Sequence, residues 1–200
     1  FFPTTWLGFL LAKLNKIPII HTERGGQHPD SQNIFISLIG KLIDHTLGWL
    51  VCRFSNKTVG VSEAACVFIK HLGAKNPVKI YNGVDPDFWE TTHQPIADGQ
   101  LRITFVGRLI YAKGVQDLLK AVALLPATVT RELKVNIIGR GSYRPVLEEL
   151  VKSLNLRDRV LFWGKRDRQK IKEIFNQTDI FINPSYSEGL PRCVLEAGAA

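Results

Sequence analysis

Four side chains in this sequence have the type and spacing to grip a phosphorylated, hydroxylated ligand. Glu188 and Glu196 stand in the run Pro184-Ser185-Tyr186-Ser187-Glu188-Gly189-Leu190-Pro191-Arg192-Cys193-Val194-Leu195-Glu196. With a helix starting near Leu190, the free N–H groups of its first turn face the space beside Glu188 and attract an anion. Carboxylates flanking an anion pocket are unfavourable unless they bind hydroxyls, which a sugar and a ribose supply. The plainer alternative is that Glu188 stabilises the helix end through its dipole and Glu196 is a surface residue. Arg108 and Lys113 lie in Gly107-Arg108-Leu109-Ile110-Tyr111-Ala112-Lys113-Gly114. Arginine offers a planar fork and lysine a mobile point charge, the pair that a diphosphate needs. Taken alone, the segment equally fits two solvated loop charges.

A third segment, Gly139-Arg140-Gly141, follows a strand and precedes a helix. A dinucleotide fingerprint needs a third glycine where Arg144 stands, so NAD is disfavoured. A tight turn that lets backbone approach a ligand is the plain reading.

The elements that must position these residues follow from periodicity. Leu101–Val106, Val135–Ile138, Val160–Trp163 and Ile180–Ile182 read as strands. Val115–Leu125, Pro145–Leu154 and Gln169–Phe175 read as amphipathic helices between them. Such alternation implies a parallel sheet covered on both faces, with ligands at the carboxyl ends of its strands. Earlier in the chain, Ile17–Ile20, Thr58–Val61 and Val78–Tyr81 read as strands, and Ser62 as the N-cap of a helix over Glu63–Leu72 closed by Gly73. Ile34, Leu38, Leu42 and Leu47 read as a core stripe on helix over 33–54, because Lys41, Asp44 and His45 argue against a membrane span. The proline-bearing interval 85–99 reads as a linker between domains at 1–93 and 100–200. Both are expected to be incomplete, the chain being read as an internal fragment.

Composition narrows the classes. The 200 residues carry a formal charge of +8, which fits nucleic acid, an acidic membrane or a phosphorylated ligand. No block of five like charges and no RRM, KH or zinc-finger pattern is present, so nucleic acid is set aside. Cys52, Cys66 and Cys193 lack C-x-x-C spacing, so no zinc site or disulfide framework is expected, and they fit a reducing compartment.

Together the segments V-S-E-A at 61–64, I-Y-N-G-V-D at 80–85, F-V-G-R-L at 105–109, K-G at 113–114, I-I-G-R-G at 137–141, V-L-F-W-G at 160–164 and the run at 179–197 resemble retaining glycosyltransferase family 4, within the glycosyl transferases group 1. The last holds that family's E-x7-E motif in register. The resemblance implies an α/β chain of GT-B type with two Rossmann-like parallel-sheet domains. It implies that Arg108 and Lys113 bind the donor diphosphate, that Glu188 contacts hydroxyls of the transferred sugar and that Glu196 contacts the ribose. Backbone N–H groups at Gly189 and Leu190 would face the sugar-phosphate, Gly139 and Gly141 would lie against the nucleotide, and Trp163 to Lys165 would contact the base. Arg24, Asn82 and Gly83 fall on the acceptor side. Many members carry a histidine where Arg24 precedes Gly25. A guanidinium cannot be a general base, and His21 three positions earlier reads as a core or supporting residue. The resemblance further implies a nucleoside-diphosphate-sugar donor, a carbohydrate or lipid-linked acceptor, no metal or other cofactor, and a cytoplasmic place with peripheral contact at the inner membrane face. An epimerase or phosphorylase is disfavoured by the E-x7-E register. A piece that binds donor without turnover is the remaining alternative.

Overall fold

The computed structural model describes residues 3–25, 34–91, 99–126 and 132–200. The chain divides into two units, one of Phe1–Asn82 with Ser187–Pro191 and one of Gly83–Tyr186 with Arg192–Ala200.

The first unit runs α1 (Pro3–Leu14), β1 (Ile20–Glu23), α2 (Ile34–Ile43), a π turn (Asp44–Gly48), α3 (Trp49–Phe54), β2 (Lys57–Gly60), α4 (Glu63–His71) and β3 (Val78–Lys79). Its strands form a parallel sheet in the order β1-β2-β3. The first strand begins later than Ile17, because Pro18 has no N–H to give a ladder. Instead Ile19 N–H donates to Asn56 Oδ1 (2.8 Å) and Ile20 pairs with Lys57. Ser62 caps α4, its hydroxyl accepting from Ala65 N–H at 3.1 Å. Gly73 ends the segment at φ +90°, and Trp49 packs where its Cβ would be.

The expected core stripe is not one. Ile34, Leu38 and Leu42 are more than half exposed, and Leu47 is exposed too. Among the described residues nothing covers that face; burial begins at the π turn, with Asp44 and Gly48, and continues at Val51 and Cys52. Ile34–Phe54 is by length and composition a helix able to cross a membrane, with little of it buried.

The second unit runs α5 (Pro86–Trp89), β4 (Leu101–Val106), a 3-10 turn (Tyr111–Lys113), α6 (Val115–Ala123), β5 (Leu133–Ile138), α7 (Arg144–Ser153), β6 (Val160–Gly164), α8 (Arg168–Phe175), β7 (Ile180–Phe181) and α9 (Arg192–Gly198). Part of the expected linker is structured: Asp85 caps α5, accepting from Phe88 N–H, and Trp89 is fully buried against Phe175. Residues 92–98 lie outside the described residues.

The sheet is parallel in the order β6-β5-β4-β7. Ile103, Phe105, Val135 and Ile137 alternate onto one face and pack with Leu118, Leu119, Val122, Leu147 and Val151 of α6 and α7. Full burial of each such side chain stabilises by about 1.5–3 kcal/mol. The chain steps outward from β4 to β5 to β6, then α8 returns it to the opposite side of β4. The strand order therefore reverses between β4 and β7, the place where open parallel sheets bind ligands at the carboxyl ends of their strands.

Candidate functional site

The loops at that reversal are two of the three segments that the sequence singles out. The loop after β4 carries Arg108, exposed, and Lys113, half-buried. It meets the loop after β7 through backbone: Tyr186 N–H donates to Ala112 O at 3.0 Å. Gly114 has φ +67°, and a Cβ there would overlap Pro184 O. Glycine at 114 is thus required twice, by its left-handed backbone and by the close crossing.

A polar clamp fixes the crossing. Gln116, almost wholly buried, donates from Nε2 to Tyr111 O (3.1 Å) and to the Tyr186 hydroxyl (2.6 Å). Tyr186 in turn donates to Asp117 Oδ2 at 2.5 Å. That hydrogen bond to a carboxylate, with some desolvation, pushes the Tyr186 phenol up to about 12. The Tyr111 ring packs edge-on against Tyr186 and Tyr143, with centroids 5.4 and 5.8 Å away. Sequence reasoning missed Gln116 and Asp117; the available signal was a polar pair in the first turn of the helix that follows Gly114.

At Gly139 and Gly141 the neighbouring loop's backbone makes a close approach. At φ +144°, Gly139 offers the place of its missing Cβ to Gly107 O, and Gly141 offers its own to Leu109 O. Gly107 N–H donates to Ile138 O and Leu109 N–H to Arg140 O, both at 3.0 Å. Gly139 N–H donates to Gly164 O at 2.9 Å. The carboxyl ends of β4, β5 and β6 are thus tied in series, and the Arg108 loop is held by its neighbour's backbone.

Trp163 does not lie in a loop. It is within β6, its indole N–H donating to Asn136 Oδ1 on β5 at 2.9 Å. The side chain lines a cavity with Arg102 and Lys134, residues from the amino-terminal ends of β4 and β5. Lys165 follows Gly164 and is exposed.

The last helix starts at Arg192, two residues later than Leu190. Pro191 biases its predecessor toward extended backbone, so the helix begins only beyond it. The N–H groups of Gly189 and Leu190 therefore belong to a loop. Glu196 is on α9, mostly buried and 3.4 Å from Arg192 Nη2. Glu188 is half-buried within Ser187–Pro191, the segment that belongs to the first unit.

In that first unit Asn82 Nδ2 donates to Leu190 O at 2.8 Å. A Cβ on Gly189 would overlap Arg24 O and press on Val61 at 3.2 Å. Arg24, Asn82, Gly189 and Leu190 are thus neighbours, and nothing lies within 4 Å of the place a Gly83 Cβ would take. His21 sits on β1, mostly buried, with Nε2 3.7 Å from Glu23 Oε2. Glu23 Oε1 accepts from Gly25 N–H at 2.7 Å, bracing the turn that carries Arg24. Glu23 too was passed over in the sequence, although it stands in the same Thr-Glu-Arg run.

This arrangement, two parallel-sheet units with ligand-type loops at a strand-order reversal, is that of the GT-B glycosyltransferases. The chain belongs to the glycosyl transferases group 1 family, whose model matches residues 89–200. It is similar to an uncharacterized glycosyltransferase of Methanocaldococcus jannaschii, at 29% identity over 94% of this chain and 50% of the relative. It is 29% identical, over 74% of its length and 41% of the relative's, to 2-deoxystreptamine glucosyltransferase of Streptomyces kanamyceticus. Among solved structures, Anabaena HepE in complex with UDP-glucose matches with a TM-score of 0.78 and 18% identity, covering 98% of this chain and 54% of HepE. The chain spans about half the length of these relatives.

Proposed function

We propose that this chain carries the donor-binding machinery of a retaining, family 4 hexosyltransferase that moves a sugar from a nucleoside diphosphate to an acceptor hydroxyl. The observation that carries the reading is the meeting of the Arg108–Lys113 loop with the Pro184–Tyr186 loop where strand order reverses. The leaving group of such a transfer is a nucleoside diphosphate. Its charge grows as the sugar–oxygen bond breaks, and fixed cations aimed at it lower the barrier. In this reading Arg108 grips the diphosphate as a fork and Lys113 as a point charge, so no metal is needed. Glu196 accepts from the ribose hydroxyls and Glu188 from the sugar, with backbone N–H of Gly189 and Leu190 toward the phosphate. HepE, crystallised with UDP-glucose, supports a uridine donor. Arg24 and Asn82 then lie on the side of the acceptor, a carbohydrate or lipid-linked sugar of cell-surface polysaccharide or glycolipid assembly. The cytoplasmic membrane face, with peripheral contact, is the proposed place of action.

Calorimetric titration of UDP, GDP and UDP-glucose tests this. Charge-assisted bonds are worth about 1.5–3 kcal/mol each, so Arg108→Ala and Glu196→Ala should each weaken the preferred nucleotide roughly tenfold or more. Unchanged affinity in both variants overturns the site. Anomeric analysis of the product by NMR tests retention. Nucleotide binding without turnover by any donor favours the second reading, a donor-binding piece inactive alone.

A further inference from the structure

A large cavity of the second unit lies away from the loops described above. It encloses about 620 Å³ and is lined by Arg102, Lys134, Arg157, Arg159 and Lys170, against the acids Asp158 and Glu173. Arg102, Lys134 and Arg159 mark the amino-terminal ends of β4, β5 and β6, whereas Arg108 and Gly139 follow the carboxyl ends of β4 and β5. On β5, Lys134 and Asn136 alternate with the core residues and so belong to the face opposite α6 and α7.

Its polar groups are unevenly spent. Lys134 Nζ donates to Asp158 O and Lys170 Nζ to Glu173 Oε2, each at 2.7 Å. Arg166 and Lys170 lie over the Trp163 ring, 5.6 and 5.9 Å from its centroid. Arg157 and Arg159 form no ion pair among the described residues. Asn176 also lines the cavity, and its Oδ1 is buried with no hydrogen-bond partner among the described residues. Two uncommitted guanidinium groups fit a dianion such as a phosphate. A buried carbonyl oxygen needs a donor, which a polyol hydroxyl supplies. The volume is that of a small-molecule pocket, far larger than a simple ion requires.

We infer that this cavity binds a small phosphorylated polyol, of the hexose-phosphate class, at a site separate from the carboxyl-end loops. Arg157 and Arg159 hold the phosphate, and Asn176 accepts from a hydroxyl. Glucose 6-phosphate, glucose and inorganic phosphate titrated calorimetrically into the 200-residue chain test this. Saturable binding of glucose 6-phosphate is expected, at least about tenfold tighter than inorganic phosphate, with none for glucose. The Arg157→Ala/Arg159→Ala variant should lose at least about tenfold in affinity at an unchanged melting temperature. If that variant melts early, Arg157→Ala alone, at an exposed position, carries the same test with a smaller loss. Phosphatidylinositol 4-phosphate in phosphatidylcholine vesicles separates a lipid headgroup from a free ligand: vesicle binding abolished by the same variant, with glucose 6-phosphate competing, assigns the headgroup as source. Absence of binding by every phosphorylated probe, equal affinity for inorganic phosphate, indifference to both variants, or displacement by UDP overturns the inference.

Discussion

Gly139→Ala is the sharpest probe of how the Arg108 loop is held. Gly139 has φ +144°, and its missing Cβ would fall well under 3.0 Å from Gly107 O, with the Gly107 carbonyl carbon at 2.9 Å. The neighbour is backbone, so no side chain can swing aside. A non-glycine residue in such a conformation costs on the order of 1–3 kcal/mol. Forcing the Gly107 carbonyl back adds a similar overpacking cost of about 1–3 kcal/mol. Together they predict roughly 2–6 kcal/mol of destabilisation, a fall in melting temperature of about 8 °C or more for a domain of this size. Because Gly107 precedes Arg108, UDP affinity should fall as well. Thermal and urea unfolding read the first effect and calorimetry the second. Gly83→Ala, with nothing within 4 Å of the new Cβ, is the control. If Gly139→Ala melts within about 2 °C of that control, the interlocked turns do not hold the loop, since the expected shift is several times larger.

The Tyr186 phenol, raised to about 12 by its bond to Asp117, should give a separate high-pH step in an ultraviolet titration of tyrosinate, absent in Tyr186→Phe. Its folded pKa lies above the unfolded value, so its contribution to stability is full below about pH 10 and is lost as pH rises through about 12. Burial, with Glu23 and Asp44 adding, pushes the Cys52 thiol up to about 12 as well. Thiol titration of the folded chain should therefore count half-buried Cys193 and spare the buried Cys52 and Cys66 until denaturant is added. Ser62→Ala removes the cap on Ala65 N–H and should cost about 0.5–2 kcal/mol in urea unfolding.

Elements with strong period and punctuation were legible in the sequence. β4, β5, α6 and α7 emerge from alternating or helical spacing because they enclose a core, and Ser62 and Gly73 announced the ends of α4. What failed depends on contacts between distant residues. Nothing local shows that α2 has no covering layer among the described residues, so its apolar stripe read as core. The apolar run Ile17–Ile20 reads as the first strand, but the ladder starts only at Ile20 and runs through His21, Thr22 and Glu23, set by their pairing with β2. At the site, type and spacing single out Arg108, Lys113 and Glu196 as candidates, and the first two share the loop that meets Tyr186. The Gln116–Tyr186–Asp117 clamp joins residues some seventy positions apart, and no spacing rule reaches that far. Gly139 and Gly141 announced a close approach correctly, but the approaching group is the chain's own backbone.

The pairing of β4 with β7 also bears on how the protein is made. Arg102 N–H donates to Asp179 across 77 residues, so the seam beneath the two ligand-type loops closes the longest-range pairing in the second sheet. During synthesis β4, β5 and β6 can assemble while one edge of β4 still waits for Ile180 and Phe181 to emerge from the ribosome. That edge is an open template for another chain throughout the interval. Truncation before residue 180, or a pause after β6 has emerged and before β7 has, should expose it, so aggregation of nascent chains is expected to rise in that interval and to fall once β7 has emerged.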